Sequence, residues 1–147
     1  MPELPEVETT IRYLKSKVKG KKIISINRSQ KKLRKNLNFK DLEQISHKEI
    51  ISVERFAKYI IVGLENDNYI IIHLGMSGRL KFYLNENYKK EKHDHVVLQF
   101  KEFKIIFNDP RRFGMFFRLK DSKEVKFFFN KYSVKAPFPG PISISMS

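Results

Sequence analysis

Pro2 has the most distinctive chemical potential in this sequence. Met1 precedes a small residue, so its removal would leave Pro2 as a secondary α-amine. An α-amino group titrates near about 8, so a neutral fraction persists at cellular pH, where a lysine has almost none. A neutral amine can attack an electrophilic carbon and pass on to an iminium. The same proline would serve equally well if its only task were to permit Met removal, and residue type alone leaves both readings open. Glu3 follows directly and Glu6 lies three residues on. Carboxylates so placed can move protons beside the amine, or simply occupy the positive end of a helix dipole.

Further along, single polar residues interrupt apolar runs. Lys58 opens the run Tyr59–Leu64, and His73 nearly closes Tyr69–Leu74. By type alone, a lone Lys at a strand edge is a solvated gatekeeper and a lone His on an apolar strand is a satisfied core residue. Met76 and Phe113 fit a core equally well. The stretch Asp109-Pro110-Arg111-Arg112-Phe113-Gly114 follows an apolar run and reads as a loop, which favours exposure of its arginines and phenylalanine.

These residues need elements to position them. Pro5 suits a first helical turn, where its missing N–H costs nothing. Val7, Ile11, Leu14 and Val18 recur at helical spacing, lysines load the last turn, and Gly20 ends it. Strand-like runs follow at 22–28, 49–56, 59–64, 69–74, 80–84, 96–100, 103–107 and 115–119, with a short helix over 39–45 and a basic loop holding Lys31, Lys32, Arg34 and Lys35. Asn66-Asp67-Asn68 and Lys101-Glu102 read as hairpin turns. The polar stretch 85–95 reads as a mobile loop. Many short strands with turn signals between them indicate a β-sandwich or barrel, with the N-terminal helix packed on it. Three prolines within 137–141 exclude helix and central strand there, and the chain after about Lys135 reads as irregular.

Composition narrows the partner. The chain has 147 residues, enough for one domain with its own core. It has no Cys, which excludes disulfides and a thiolate zinc site. No apolar run approaches the ~20 residues a membrane-spanning helix needs, and the acidic, Pro-containing start is unlike a secretory signal. A soluble, intracellular protein with no membrane partner is expected. Thirty Lys and Arg against 16 Asp and Glu give a net charge of +14. Such an imbalance favours a polyanion, nucleic acid first, with an anionic membrane surface or an acidic protein as alternatives.

The opening MPELPEVETT resembles the N-terminal signature of the formamidopyrimidine-DNA glycosylase family. FAKYIIV (56–62), IHLGMSGRL (72–80), HDHV (93–96) and FNDPRRFGM (107–115) continue the resemblance in the family's order, over roughly residues 1–120. It implies an α+β, mainly β fold: an antiparallel β-sandwich with a packed N-terminal helix. It also implies base-excision repair, with oxidised purines (8-oxoguanine, formamidopyrimidines) removed through a Schiff base at Pro2. AP lyase cleavage by β- and δ-elimination would follow. Glu3 matches the general acid/base, and Glu6 a supporting acidic residue. Lys58 belongs with Pro2 and Glu3 in the expected catalytic set, matching a contact to the phosphate beside the damaged nucleotide, and His73 and Arg112 are expected phosphate contacts. Met76, Arg111 and Phe113 match the residues that fill the space left by a flipped nucleotide, with Arg111 facing the orphaned cytosine. Gly75, Gly78 and Gly114 would let these loops turn tightly beside DNA. Leu4 and Val7 in PELPEVE differ from the PEGPE start of the endonuclease VIII relatives.

The expected organisation is a catalytic domain over 1–135 and a Pro/Ser-rich tail over 136–147. The family's helix–two-turn–helix and zinc-finger domains are not found in the sequence, so neither a metal nor another cofactor is expected in this chain. The expected partner is double-stranded damaged DNA, bound by a monomer in the bacterial cytoplasm at the nucleoid. The alternative function is a non-catalytic, basic DNA-binding remnant of such an enzyme. A basic RNA-binding β-domain is a weaker reading, because no RNP-type motif is present.

Overall fold

A computed structural model describes residues 3–130. Pro2 and the chain from 131 onward, including the expected tail, lie outside the described residues. Helix α1 (Leu4–Val18) starts where Pro5 falls at its first turn, and buries Val7, Leu14 and Val18. Gly20 follows with φ +80°, a left-handed stop that needs glycine. Then come β1 (Ser25–Arg28), α2 (Phe39–Ile45) and β2 (Ile50–Phe56). Asn38 and Asp41 form a reciprocal capping box that starts α2. The remaining strands are β3 (Tyr59–Leu64), β4 (Asn68–His73), β5 (Arg79–Leu84), β6 (Asp94–Gln99), β7 (Phe103–Asn108) and β8 (Met115–Leu119). Helix α3 (Ser122–Asn130) ends the described chain.

The strands form two four-stranded antiparallel sheets, ordered β1-β6-β7-β5 and β2-β3-β4-β8. The expected α+β architecture, an antiparallel sandwich with a packed N-terminal helix, is the observed one. The main core lies between the sheets. Ile60, Val62, Ile70, Ile72 and Phe116 point into it from one sheet, and Val96, Leu98, Ile105 and Phe107 from the other. Helix α1 lies against β2, and Tyr13 reaches the β5 ring of Phe82 edge-on, with centroids 6.2 Å apart. One helix thus touches an outer strand of each sheet.

A second core explains why β3 and β4 read as continuous apolar runs rather than alternating ones. Tyr59, Ile61, Tyr69, Ile71, Met115 and Phe117 face away from the first core, and α3 covers them with Val125 and Phe129. Strands buried on both faces lose their polar alternation. Nothing in the sequence pattern predicts an element over Phe127–Phe129. The signal was Asp121, whose side chain accepts the Glu124 N–H at 2.8 Å and caps α3.

Two expectations change. The 85–95 stretch is not a free loop. A short 3₁₀ turn occupies Asn85–Asn87, and Asp94 and His95 belong to β6, each 2% exposed. Asp94 accepts hydrogen bonds from the Tyr88 hydroxyl, the Glu91 N–H and the Asn108 amide, and Lys81 stands 3.2 Å away. Burial opposes charge on Asp94, yet these donors together hold its carboxyl below the usual carboxylate range. Polar residue types suggested solvent; their mutual satisfaction lets them be buried. The β3–β4 turn also shifts by one residue. Asn66 and Asp67 take left-handed φ values, whereas Asn68 is a buried strand residue that donates to Gln44 and accepts from Arg118.

Candidate nucleic-acid interface

Glu3 is the N-cap of α1, yet its side chain makes no capping hydrogen bond. It is turned instead to Lys58, with Oε2 3.7 Å from Nζ. Lys58 sits in the two-residue connection between β2 and β3, where Phe56 pairs with Tyr59 and Ala57 takes φ +51°. The hairpin therefore presents the ammonium at the mouth of the helix. The Glu3 side chain is 67% exposed and that of Lys58 29%, so solvent screens the pair and it contributes little to stability. It is poised to exchange for other partners.

His73 lies at the end of β4, beside this pair. Its ring packs edge-on against Tyr59, with centroids 4.7 Å apart. The Gly75 N–H donates to Nδ1 at 3.0 Å. A nitrogen that accepts cannot carry the proton, so neutral His73 is an Nε2–H donor. Burial, followed by the charges of Arg34 and Lys58, pushes its pKa below the ordinary histidine value. Leu4, Phe56, Ala57, Lys58, Tyr59 and His73 line an open hollow of about 370 Å³. Its two hydrogen-bonding heads, an ammonium and a neutral imidazole N–H, are the kind of donors that hold a phosphodiester.

Directly after His73, the connection 74–78 carries Met76, which is 43% exposed. The neighbouring connection 109–114 carries Arg111, Arg112 and Phe113, all exposed. The Arg111 guanidinium lies over the Phe113 ring at 5.5 Å, and Arg112 adopts φ +60°. Two half-exposed apolar side chains, Phe113 being 45% exposed, and a planar cation thus share one end of the sandwich. Exposed, they offer surface for stacking, and the guanidinium offers paired donors to a base edge.

Glu3, Lys58, His73, Met76, Arg111, Arg112 and Phe113 therefore lie on the helix start and the adjacent connections that the sequence reading singled out. Glu6 does not join them: its side chain is exposed in the first turn and has no hydrogen bond or ion pair among the described residues. The loop glycines play more varied parts than turning beside a ligand. Gly75 has φ +62°, as a tight turn requires, but Gly114 is buried and tightly packed.

Arg34 was read only as part of a basic loop. Its backbone N–H donates to Gly114 at 3.0 Å, and the Phe116 N–H donates to Lys35 at 3.0 Å. The loop is thereby stitched beside the start of β8, and among the described residues Arg34 has no carboxylate partner. A run of four cations around Leu33 was the available signal, but nothing in it indicated which strand the loop would meet.

Comparisons with known proteins show the family of this fold. The model of the formamidopyrimidine-DNA glycosylase N-terminal domain family matches residues 1–116. A formamidopyrimidine-DNA glycosylase of Rickettsia africae is 43% identical over 139 residues, 94% of this chain and 50% of the relative. One from Wolbachia pipientis is 41% identical, covering 88% of this chain and 48% of the relative. Lactococcus lactis Fpg in complex with abasic-site DNA superposes with a TM-score of 0.80 at 32% identity, over 88% of this chain and 48% of that one. The chain thus spans about half the length of the curated relatives it matches.

Proposed function

The chain belongs to the formamidopyrimidine-DNA glycosylase N-terminal domain family, and we propose that it is the lesion-facing half of a DNA glycosylase and AP lyase acting on oxidised purines in duplex DNA. The carrying observation is the carboxylate–ammonium pair of Glu3 and Lys58 at the helix start, beside His73 and at the same end as the exposed Met76, Arg111 and Phe113.

In this reading, the bases that leave are 8-oxoguanine and formamidopyrimidines. The neutral Pro2 amine forms a bond to the sugar C1′ as the C1′–base bond breaks; the departing base takes the bond pair and picks up a proton from solvent. The Glu3 carboxylate takes the proton from the nitrogen and delivers it to the ring oxygen, the C1′–ring-oxygen bond breaks, the sugar opens, and the nitrogen becomes an iminium. The iminium makes the C2′ proton acidic; its loss expels the 3′-phosphate, and a second elimination expels the 5′-phosphate. Lys58, His73 and Arg112 hold backbone phosphates. Met76 and Phe113 occupy the space vacated by the flipped nucleotide, and Arg111 bonds the orphaned cytosine. Glu6 has a supporting electrostatic part only. No cofactor is assigned to this half, and the protein works as a monomer on nucleoid DNA in the bacterial cytoplasm.

Borohydride trapping tests the proposal, on duplexes carrying an abasic site or 8-oxoguanine opposite cytosine, with Met1 removal confirmed by mass. An adduct mapped to Pro2, abolished by blocking the N-terminus, is expected. Folded protein that gives no adduct on either duplex would reduce the role to salt-sensitive DNA binding, the non-catalytic alternative.

A further inference from the structure

The exposed Met76, Arg111 and Phe113 stand on two separate crossovers between the sheets. One leads from β4 to β5 and the other from β7 to β8. The second begins with Asp109, which is 0% exposed. Its Oδ1 accepts the Ser77 hydroxyl at 2.6 Å, from the first crossover. Its Oδ2 accepts the Gly114 N–H at 2.8 Å, from the second. The Ser77 oxygen in turn accepts the Arg111 N–H at 3.0 Å. Asp109 itself is anchored to β6 and its approach: its N–H donates to the His93 carbonyl at 3.0 Å, and its carbonyl accepts from His95 Nε2 at 2.8 Å. Backbone packing completes the contact. A Cβ on Gly75 would stand 2.6 Å from the Gly114 nitrogen and 2.7 Å from the Phe113 carbonyl carbon.

We infer that Asp109 is a positioning residue that joins the two crossovers into one rigid wedge, so that Met76 and the Arg111–Phe113 pair meet DNA as a unit. The inference rests on reading those three side chains as DNA-facing, and adds how they are held. Two independently mobile tips would lose their mutual spacing, and a site of this kind tolerates little looseness. A carboxylate suits the junction because both inward groups are donors. An amide at the same place would keep its oxygen on the Gly114 N–H and turn its NH₂ to the Ser77 oxygen, which reverses the Ser77 bond and removes the charge that strengthens both.

Ser77→Ala and Asp109→Asn in the full chain test the interlock, by amide hydrogen exchange without DNA and by lesion processing with DNA. Ser77→Ala is expected to speed exchange at Gly114, on the other crossover, by about fivefold, the factor expected from one net hydrogen bond. Asp109→Asn, which replaces two charge-assisted bonds by neutral ones, should raise exchange across both crossovers by about fivefold, with β3 and β4 unchanged. On DNA, Ser77→Ala should lower the ratio of rates on 8-oxoguanine opposite cytosine and opposite adenine, while trapping on abasic DNA stays near that of the unaltered chain. Exchange confined to the crossover of Ser77, or faster exchange with an unchanged base ratio, would overturn the inference. If Asp109→Asn does not fold, Ser77→Ala decides alone. If the unaltered chain traps nothing, the functional reading fails, and the exchange measurement still decides the interlock.

Discussion

Gly114→Ala probes the junction at its tightest point. A Cβ there would stand 2.7 Å from Asp109 Oδ2, 2.8 Å from the His73 carbonyl oxygen and 2.8 Å from Phe107 Cζ. None of the three can give way cheaply. The Asp109 oxygen is hydrogen-bonded to Gly114 itself. The His73 carbonyl is strand backbone, and Phe107 is a core ring 1% exposed. Overpacking of this kind costs about 1–3 kcal/mol, which corresponds to a fall of roughly 4–12 °C in Tm for a domain of this size. The added methyl also drives Asp109 away from the Gly114 N–H, so DNA processing should fall further than stability alone accounts for. Gly20→Ala is the matched control. Nothing lies within 4 Å of a Cβ at Gly20, but its φ is +80°, so only conformational strain of about 1–2 kcal/mol applies. Thermal melts of both variants, with trapping on 8-oxoguanine opposite cytosine at a temperature where both are folded, make the comparison. A Gly114→Ala protein that melts with the unaltered chain and traps at the same rate would refute the packing argument.

Other outcomes follow from the same geometry. Lys58→Gln should make the slope of log K for abasic-site DNA against log salt shallower by about 0.9, the signature of one lost phosphate contact. A parallel, unshifted slope would remove Lys58 from the interface. His73 has a depressed pKa when folded, so the unfolded chain takes up its proton first. Its contribution to stability is therefore full above the unfolded value of about 6.5 and is lost as pH falls below it. Denaturant titrations from pH 8 to 5 should show His73→Gln flattening that decline; the same decline in both proteins would contradict the assignment. Phe129→Ala removes a ring packed 4.9 Å from Phe56 and 5.1 Å from Tyr59. It should cost about 3–5 kcal/mol by urea denaturation. A loss below about 1 kcal/mol would mean that α3 is not part of the cooperative unit.

Much of the architecture was legible because it rests on local chemistry. Pro5, the spacing of Val7, Leu14 and Val18, and Gly20 define α1 almost without tertiary help. Asn38 and Asp41 mark the start of α2 in the same way. Asp94 and His95 were misread because polarity was equated with solvent, and their partners come from residues up to 66 positions away in sequence. Helix α3 was missed because three adjacent phenylalanines show no helical period. Only the covered face of β3, β4 and β8 gives Phe129 a place to go.

The site divides along the same line. Ordered sequence blocks singled out Pro2, Glu3, Lys58, His73, Met76, Arg111 and Phe113, whereas residue type alone left a structural and a functional reading open for most of them. Tertiary structure alone decided how the described members of that set are held. It turned Glu3 from a helix cap to a partner of Lys58, assigned the His73 proton to Nε2 through the Gly75 N–H, and drew Arg34 to the start of β8. It also buried Asp109 against Ser77 of the other crossover, 32 residues away in sequence. A sequence specifies which groups are available, but their hydrogen-bond partners are set by the pairing of distant strands, and that pairing exists only in the folded chain.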